Sequence, residues 1–132
     1  MVTVAGLGFR AQSNVASLRA ALHAAMEAAQ QTHGRPFTLT ALATAADKAA
    51  HPALLQLAAE LQLPITAVTL PQLASQTATP SSHVPARYGA HSVAEAAALA
   101  AAGPAAALLS SRHTSPDRLG TAAIATTQNT KL

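Results

Sequence analysis

The sequence predicts an α/β domain of three layers: a mostly parallel sheet of about five strands, helices on both faces, and the last two strands antiparallel. Three observations carry this reading. The opening stretch, Val2 to Arg10, is an apolar β-type run placed immediately before a long helical pattern. Strand-like and helical segments then alternate in the order βαβαβ, which calls for a parallel sheet with right-handed crossovers. The two final strand-like runs are joined by a stretch too short to hold a crossover helix, which favours antiparallel pairing.

The opening strand breaks at Gly6-Leu7-Gly8. Glycine carries no Cβ, so a loop here lets the backbone turn tightly and approach a ligand closely. Such a loop at the carboxyl end of a central strand is the usual binding edge of an open α/β sheet. Gly6, Gly8 and Ala11 also match the G-x-G-x-x-G/A register of dinucleotide sites. That pattern requires an acidic residue ending the second strand about 20 residues on. Glu27 lies at that distance but inside the first helix, and Asp47, which follows the second strand, comes about twice as late. A nucleotide-binding module using this loop therefore stands as the alternative reading.

Ser13 is placed to cap a first helix running to about Thr32, with Val15, Leu18, Leu22, Ala25, Met26 and Ala29 on one face. Gly34 and Pro36 stop it, and Phe37 to Thr44 reads as the second strand, delivering Ala45-Ala46-Asp47-Lys48 to a loop. Pro52 opens a second helix whose Leu54, Leu55, Leu57, Ala58 and Leu61 face inward until Pro64. Ile65 to Leu70 is the third strand, and Pro71 to Ala74 fits one short helical turn. Gln76 to His83 is polar and aperiodic, and its length makes it a candidate binding loop.

Ser92-Val93-Ala94-Glu95 opens the third long helix as a capping box, and Gly103-Pro104 closes it. Ala105 to Ser110 and Thr121 to Thr127 are the last two strands, joined by the polar turn His113 to Arg118. Residues 1–127 form one domain and residues 128–132 a frayed tail. At 132 residues the chain is long enough to bury about two-thirds of its unfolded surface, and no second core is expected. With three aromatics in all, Phe9, Phe37 and Tyr88, that core must be built from Ala, Leu, Val and Ile. Helices so rich in alanine can lie close to the sheet.

Eight basic against five acidic residues give a net charge of +3, but the basic residues are scattered and lack interleaved aromatics. Nucleic acid is therefore not the expected partner, and the excess suits a small polyanionic ligand or simply a solvated surface. The absence of cysteine removes disulfides, thiolate metal sites and a cysteine nucleophile. No signal segment or membrane-spanning run is present, so a cytoplasmic protein off the membrane is the default. The six histidines show no metal-ligating spacing, and no metal or other cofactor is expected.

The functional signal is convergence. If the first three strands are parallel, the loops around Gly8 and Arg10, Asp47 and Lys48, and Thr79 to Ser82 emerge at one edge of the sheet. Arg10 and Lys48 would supply positive charge, backbone N–H groups at helix starts would meet an anion, and the Thr and Ser hydroxyls would add hydrogen bonds. Glu95 fits a cap more readily than a general base. Ser81 or Ser82 beside His83 or His91 lacks the context of an activated nucleophile.

Four blocks together carry a resemblance: Val4-Ala5-Gly6-Leu7-Gly8-Phe9-Arg10; Asp47-Lys48 with Pro52 and a Leu-rich helix; Thr79-Pro80-Ser81-Ser82 with Val84; and Gly89-Ala90-His91-Ser92-Val93-Ala94-Glu95-Ala96-Ala97-Ala98-Leu99. In this order they resemble the CobE/CbiG C-terminal domain family of cobalamin (vitamin B12) biosynthesis, over nearly the whole chain. The resemblance implies a small α/β domain that binds a corrin-ring precursor, a precorrin, as carrier or participant in corrin synthesis. Other corrin-making enzymes are then its expected partners. Longer relatives are similar to hydrolases that open a precorrin lactone. This chain starts directly at the glycine strand and so resembles the stand-alone CobE form, where handling of intermediates is the expectation. The candidates for the ligand are Gly6, Gly8, Arg10, Asp47, Lys48, Thr79, Ser81, Ser82 and Ser92; should the protein be a hydrolase, Lys48 and Glu95 are the catalytic candidates, and Glu95 and Asp47 the carboxylates available as a general base.

Overall fold

The structure is a computed structural model that describes residues 2–10, 12–34, 37–69, 71, 93–103 and 106–127. The elements are β1 (Val2–Phe9), α1 (Val15–His33), β2 (Ala41–Ala45), a 3-10 turn (Ala46–Lys48), α2 (Pro52–Leu61), β3 (Ile65–Val68), α3 (Val93–Ala102), β4 (Ala107–Thr114) and β5 (Gly120–Thr127). The described strands form one five-stranded sheet in the order β3-β2-β1-β5-β4. β1 pairs parallel with β2, and β2 with β3, while β5 runs antiparallel to both β1 and β4. The sheet is thus mostly parallel with one reversed strand, as the alternation of segments predicts.

Local chemistry explains the boundaries. Asn14, not Ser13, is the N-cap of α1, with extended backbone and a side chain that accepts from Ser17 N at 2.9 Å. Ser13 instead donates its hydroxyl to the Leu119 carbonyl at 2.6 Å, fastening the β4–β5 turn to the end of β1. Gly34 ends α1 in the left-handed region, φ 84°, where a side chain would be strained. β2 starts at Ala41, four residues later than the Phe37 expected from sequence; just before it, Thr40 donates its N–H to the Thr3 carbonyl at 2.7 Å and accepts the Thr3 N–H on its hydroxyl at 3.3 Å. β3 ends at Val68, short of the expected Leu70. β4 extends through His113 and Thr114, beyond the Ser110 expected from sequence and into the expected turn.

Side chains alternate across β1 as strand geometry requires. Ala5 and Leu7 join Leu18, Leu22, Leu42, Leu54, Leu57 and Ile124 beneath α1 and α2. Val4 joins Ala43, Ala45, Val68 and Ala125 beneath α3. The single core expected from length is therefore two half-cores, one on each face of the sheet, which is what three layers demand. On the α3 side the filling is largely alanine, and Ala94 to Leu99 are all buried. Small side chains let this helix sit almost on the backbone of β1.

Candidate functional site

Parallel pairing brings the ends of β1 and β2 to one edge. The 3-10 turn that follows β2 carries exposed Asp47 and half-buried Lys48. Lys48 reaches back across the edge: its Nζ donates to the Phe9 carbonyl at 2.6 Å and lies 5.5 Å from the centroid of the Phe9 ring. The same ring meets His51 edge-on, with centroids 5.0 Å apart and planes at 72°. His51 is in turn the N-cap of α2, its Nδ1 accepting from Ala53 N at 3.1 Å. An acceptor at Nδ1 places the ring proton on Nε2.

Arg10 follows Phe9 and is exposed, its backbone N–H shared between the Leu119 carbonyl at 3.1 Å and Ser13 Oγ at 3.2 Å. α3 begins over the same end of β1, since a Cβ built on Gly8 would stand 3.4 Å from the Val93 Cβ. The positive ends of α2 and α3 therefore lie at the edge that holds Lys48, an arrangement favouring negative charge. Of the residues singled out from sequence, the structure brings Phe9-Arg10, Asp47-Lys48 and the start of α3 together. Thr79, Ser81, Ser82, His83, His91 and Ser92 lie outside the described residues.

The glycines are a correction. Gly6 and Gly8 lie inside β1, not in a loop after it, and the turn comes only beyond Phe9. A Cβ on Gly6 would stand 2.0 Å from the Ala94 carbonyl oxygen and 2.6 Å from Ala98 N. Gly6 is there to admit α3. A dinucleotide fingerprint places its glycines in the turn after the strand, so the G-x-G register in this chain has a packing cause instead.

Glu95 occupies the first turn of α3, as the capping-box reading expects, but it is fully buried and Oε2 accepts the Arg112 N–H at 3.2 Å. The cause lies in β4, whose ladder to β5 shifts register between Leu108 and Ser110 and again between Ser110 and His113. A bulge leaves a backbone N–H without its ladder partner, and the carboxylate supplies one. Glu95 joins α3 to β4.

Asp117 carries no weight in the sequence reading, yet it organises the β4–β5 turn. It accepts from the hydroxyls of Ser115 and Ser17 and from Leu119 N. Hydrogen bonds from Ser115, then Ser17, then Leu119 hold its carboxyl below the ordinary aspartate value. Asp117 thereby sets a negative charge at the start of α1. The polar run His113 to Arg118 marks the turn, but nothing local shows that Ser17 meets Asp117.

An open groove on the outside of the helical layer, between α1 and α2, is lined by Leu22, Met26, Leu57 and Leu61 and bridged by the exposed Arg19–Glu60 ion pair at 2.8 Å. It includes none of the ligand-binding or catalytic candidates selected from sequence. No described helix is long and apolar enough to cross a membrane.

Comparison with known proteins gives the family. The family model described as cobalamin synthesis G C-terminus matches residues 3–125. The fold is similar to that of CobE, a protein from the cobalamin (vitamin B12) biosynthetic pathway, at 31% identity and a TM-score of 0.75, covering 96% of this chain and 91% of that one. It is also similar to the cobalamin biosynthesis protein chiG from Agrobacterium tumefaciens str. C58, at 38% identity and a TM-score of 0.65, covering 96% and 99% of the two chains. A putative cobalamin biosynthesis protein G homolog from Sulfolobus solfataricus shares the fold at 18% identity and a TM-score of 0.67, with 97% of this chain matching 37% of that longer one. Curated proteins offer no match. With the family model spanning nearly all the described elements, the chain belongs to the CbiG C-terminal family of cobalamin-biosynthesis proteins.

Proposed function

We propose that this protein binds a precorrin at the edge formed by the ends of β1 and β2 and the start of α3, and acts as a carrier of that intermediate in corrin synthesis. The observation that carries the reading is the Lys48 ammonium fixed against Phe9 at that edge. A precorrin is a large, mostly apolar macrocycle bearing many acetate and propionate carboxylates. A fixed cation, the exposed Arg10 and two helix N-termini suit those carboxylates, and the His51 ring offers apolar surface beside them.

Carriage is favoured over hydrolysis because Glu95, one of the two carboxylates available as a general base, is buried and engaged with Arg112 N; the other, Asp47, is exposed on the 3-10 turn. A hydrolytic water needs a base within hydrogen-bond reach. Lys48 belongs to binding in this reading, not to bond cleavage. Other enzymes of the corrin pathway are the partners that would load and unload the carrier.

Visible absorption titration of the purified protein with a late precorrin tests the reading. A saturable spectral shift, weakened by added salt and unaccompanied by product, is expected. Binding of NAD or ATP under matched conditions, with no response to any precorrin, would overturn it in favour of a nucleotide module. Turnover of the precorrin would replace the carrier with a hydrolase.

A further inference from the structure

We propose that Phe9 is a positioning residue for the Lys48 ammonium, and that through Lys48 it sets the affinity of this edge for precorrin carboxylates; the inference rests on the binding reading above. The basis is a three-residue stack. Lys48 Nζ donates to the Phe9 carbonyl at 2.6 Å and lies 5.5 Å from the ring centroid of the same residue. One residue thus offers both its carbonyl oxygen and its ring to one cation. The His51 ring supports Phe9 from its edge, 5.0 Å away. His51 cannot swing off without uncapping α2, because its Nδ1 accepts the Ala53 N–H. Phe9 is itself held in the ladder opposite Gly120.

The charge on the 3-10 turn is therefore held by the last residue of β1 and the N-cap of α2. A lysine side chain has much rotamer freedom to lose when it meets a ligand. One already held loses less, and affinity gains from that preorganisation. The ring face adds an attraction that an aliphatic side chain of similar size cannot reproduce. Phe9 also packs against the half-core under α1 and α2, so its replacement affects stability as well as Lys48. The test must separate the two.

The dissociation constant for a purified late precorrin is measured by absorption titration for the wild type, Phe9→Leu, Phe9→Tyr, Lys48→Ala and the Phe9→Leu/Lys48→Ala double variant. Folded fractions from circular dichroism correct each value. Phe9→Leu should weaken binding about fivefold, the loss of one well-placed cation–π contact. Phe9→Tyr, which keeps the ring face, should restore it. In the Lys48→Ala background Phe9→Leu should add no further loss, since residues acting through one group are not additive. Salt dependence should become shallower for Phe9→Leu and not for Phe9→Tyr, a change that mere loss of folded protein would not produce. An equal loss from Phe9→Leu with and without Lys48 overturns the inference and leaves precorrin binding standing. No saturable binding by the wild type overturns the binding reading, and the inference with it.

Discussion

Gly6 lies directly beneath the backbone of Ala94, so close that a Cβ at position 6 would stand 2.0 Å from the Ala94 carbonyl oxygen. Backbone cannot yield as a flexible side chain can, so any substitution there must push α3 away from the sheet. Gly6→Ala should cost about 3 kcal/mol or more of stability, at the upper end for overpacking. Gly8→Ala should cost under about 1 kcal/mol, because its Cβ would meet Val93 Cβ and Ala94 N at 3.4 and 3.5 Å, near ordinary contact. Urea unfolding of the two variants compares them directly. Equal midpoints would contradict the packing role given to Gly6.

Glu95 separates a structural carboxylate from a catalytic one. Glu95→Gln keeps an oxygen able to accept the Arg112 N–H, whereas Glu95→Ala leaves that donor without this partner and opens a void. The alanine variant should lose about 1–3 kcal/mol more than the glutamine variant in thermal or urea unfolding. Precorrin affinity should be unchanged in Glu95→Gln. If the glutamine variant instead folds normally and loses a hydrolytic activity by about a hundredfold, Glu95 is a base.

Asp117 makes acid stability a readout of the β4–β5 turn. Its folded pKa is depressed by the donors Ser115, Ser17 and Leu119 N, so the unfolded chain binds the proton more readily. The stabilisation is present in full above the ordinary aspartate pKa of about 3.9 and is lost as pH falls through the lower folded value. Asp117→Asn should therefore be less stable than wild type near neutrality, with the gap closing as pH is taken from about 5 towards about 2. Urea midpoints across that range check this. A gap that stays constant would mean the carboxylate charge plays no part.

The alternation of segments showed the fold class because local periodicity and parallel pairing depend on the same apolar positions: Leu18, Leu22, Leu54 and Leu57 were visible as helix faces and are buried as such. Convergence of Phe9-Arg10 with Asp47-Lys48 followed from parallel pairing alone. The role of Gly6 was not legible, because a glycine that ends a strand and a glycine that admits a helix look alike until the partner, Ala94, is placed. Spacing after Ser92 marks Glu95 as a cap, while its contact with Arg112 depends on a bulge in β4 that no short-range pattern marks. Phe9 and His51 are not legible as a unit because the end of β1 and the N-cap of α2 are far apart in sequence and meet only in the folded sheet, with an aromatic residue before the Arg10 turn as the one hint.

The central claim is that the charge of Lys48, held at the end of β1, binds precorrin carboxylates. Replacement of Lys48 by alanine removes that charge and leaves the ladder of β1 intact, so the most direct measurement is the precorrin dissociation constant of Lys48→Ala against wild type, with Arg10→Ala as comparison. A partly buried, charge-assisted contact is worth about 1.4 kcal/mol or more, so Lys48→Ala should weaken binding about tenfold or more. The exposed Arg10, subject to full screening, should matter less, by roughly threefold at low salt. A Lys48→Ala protein that is folded and binds the precorrin as tightly as wild type would contradict the account.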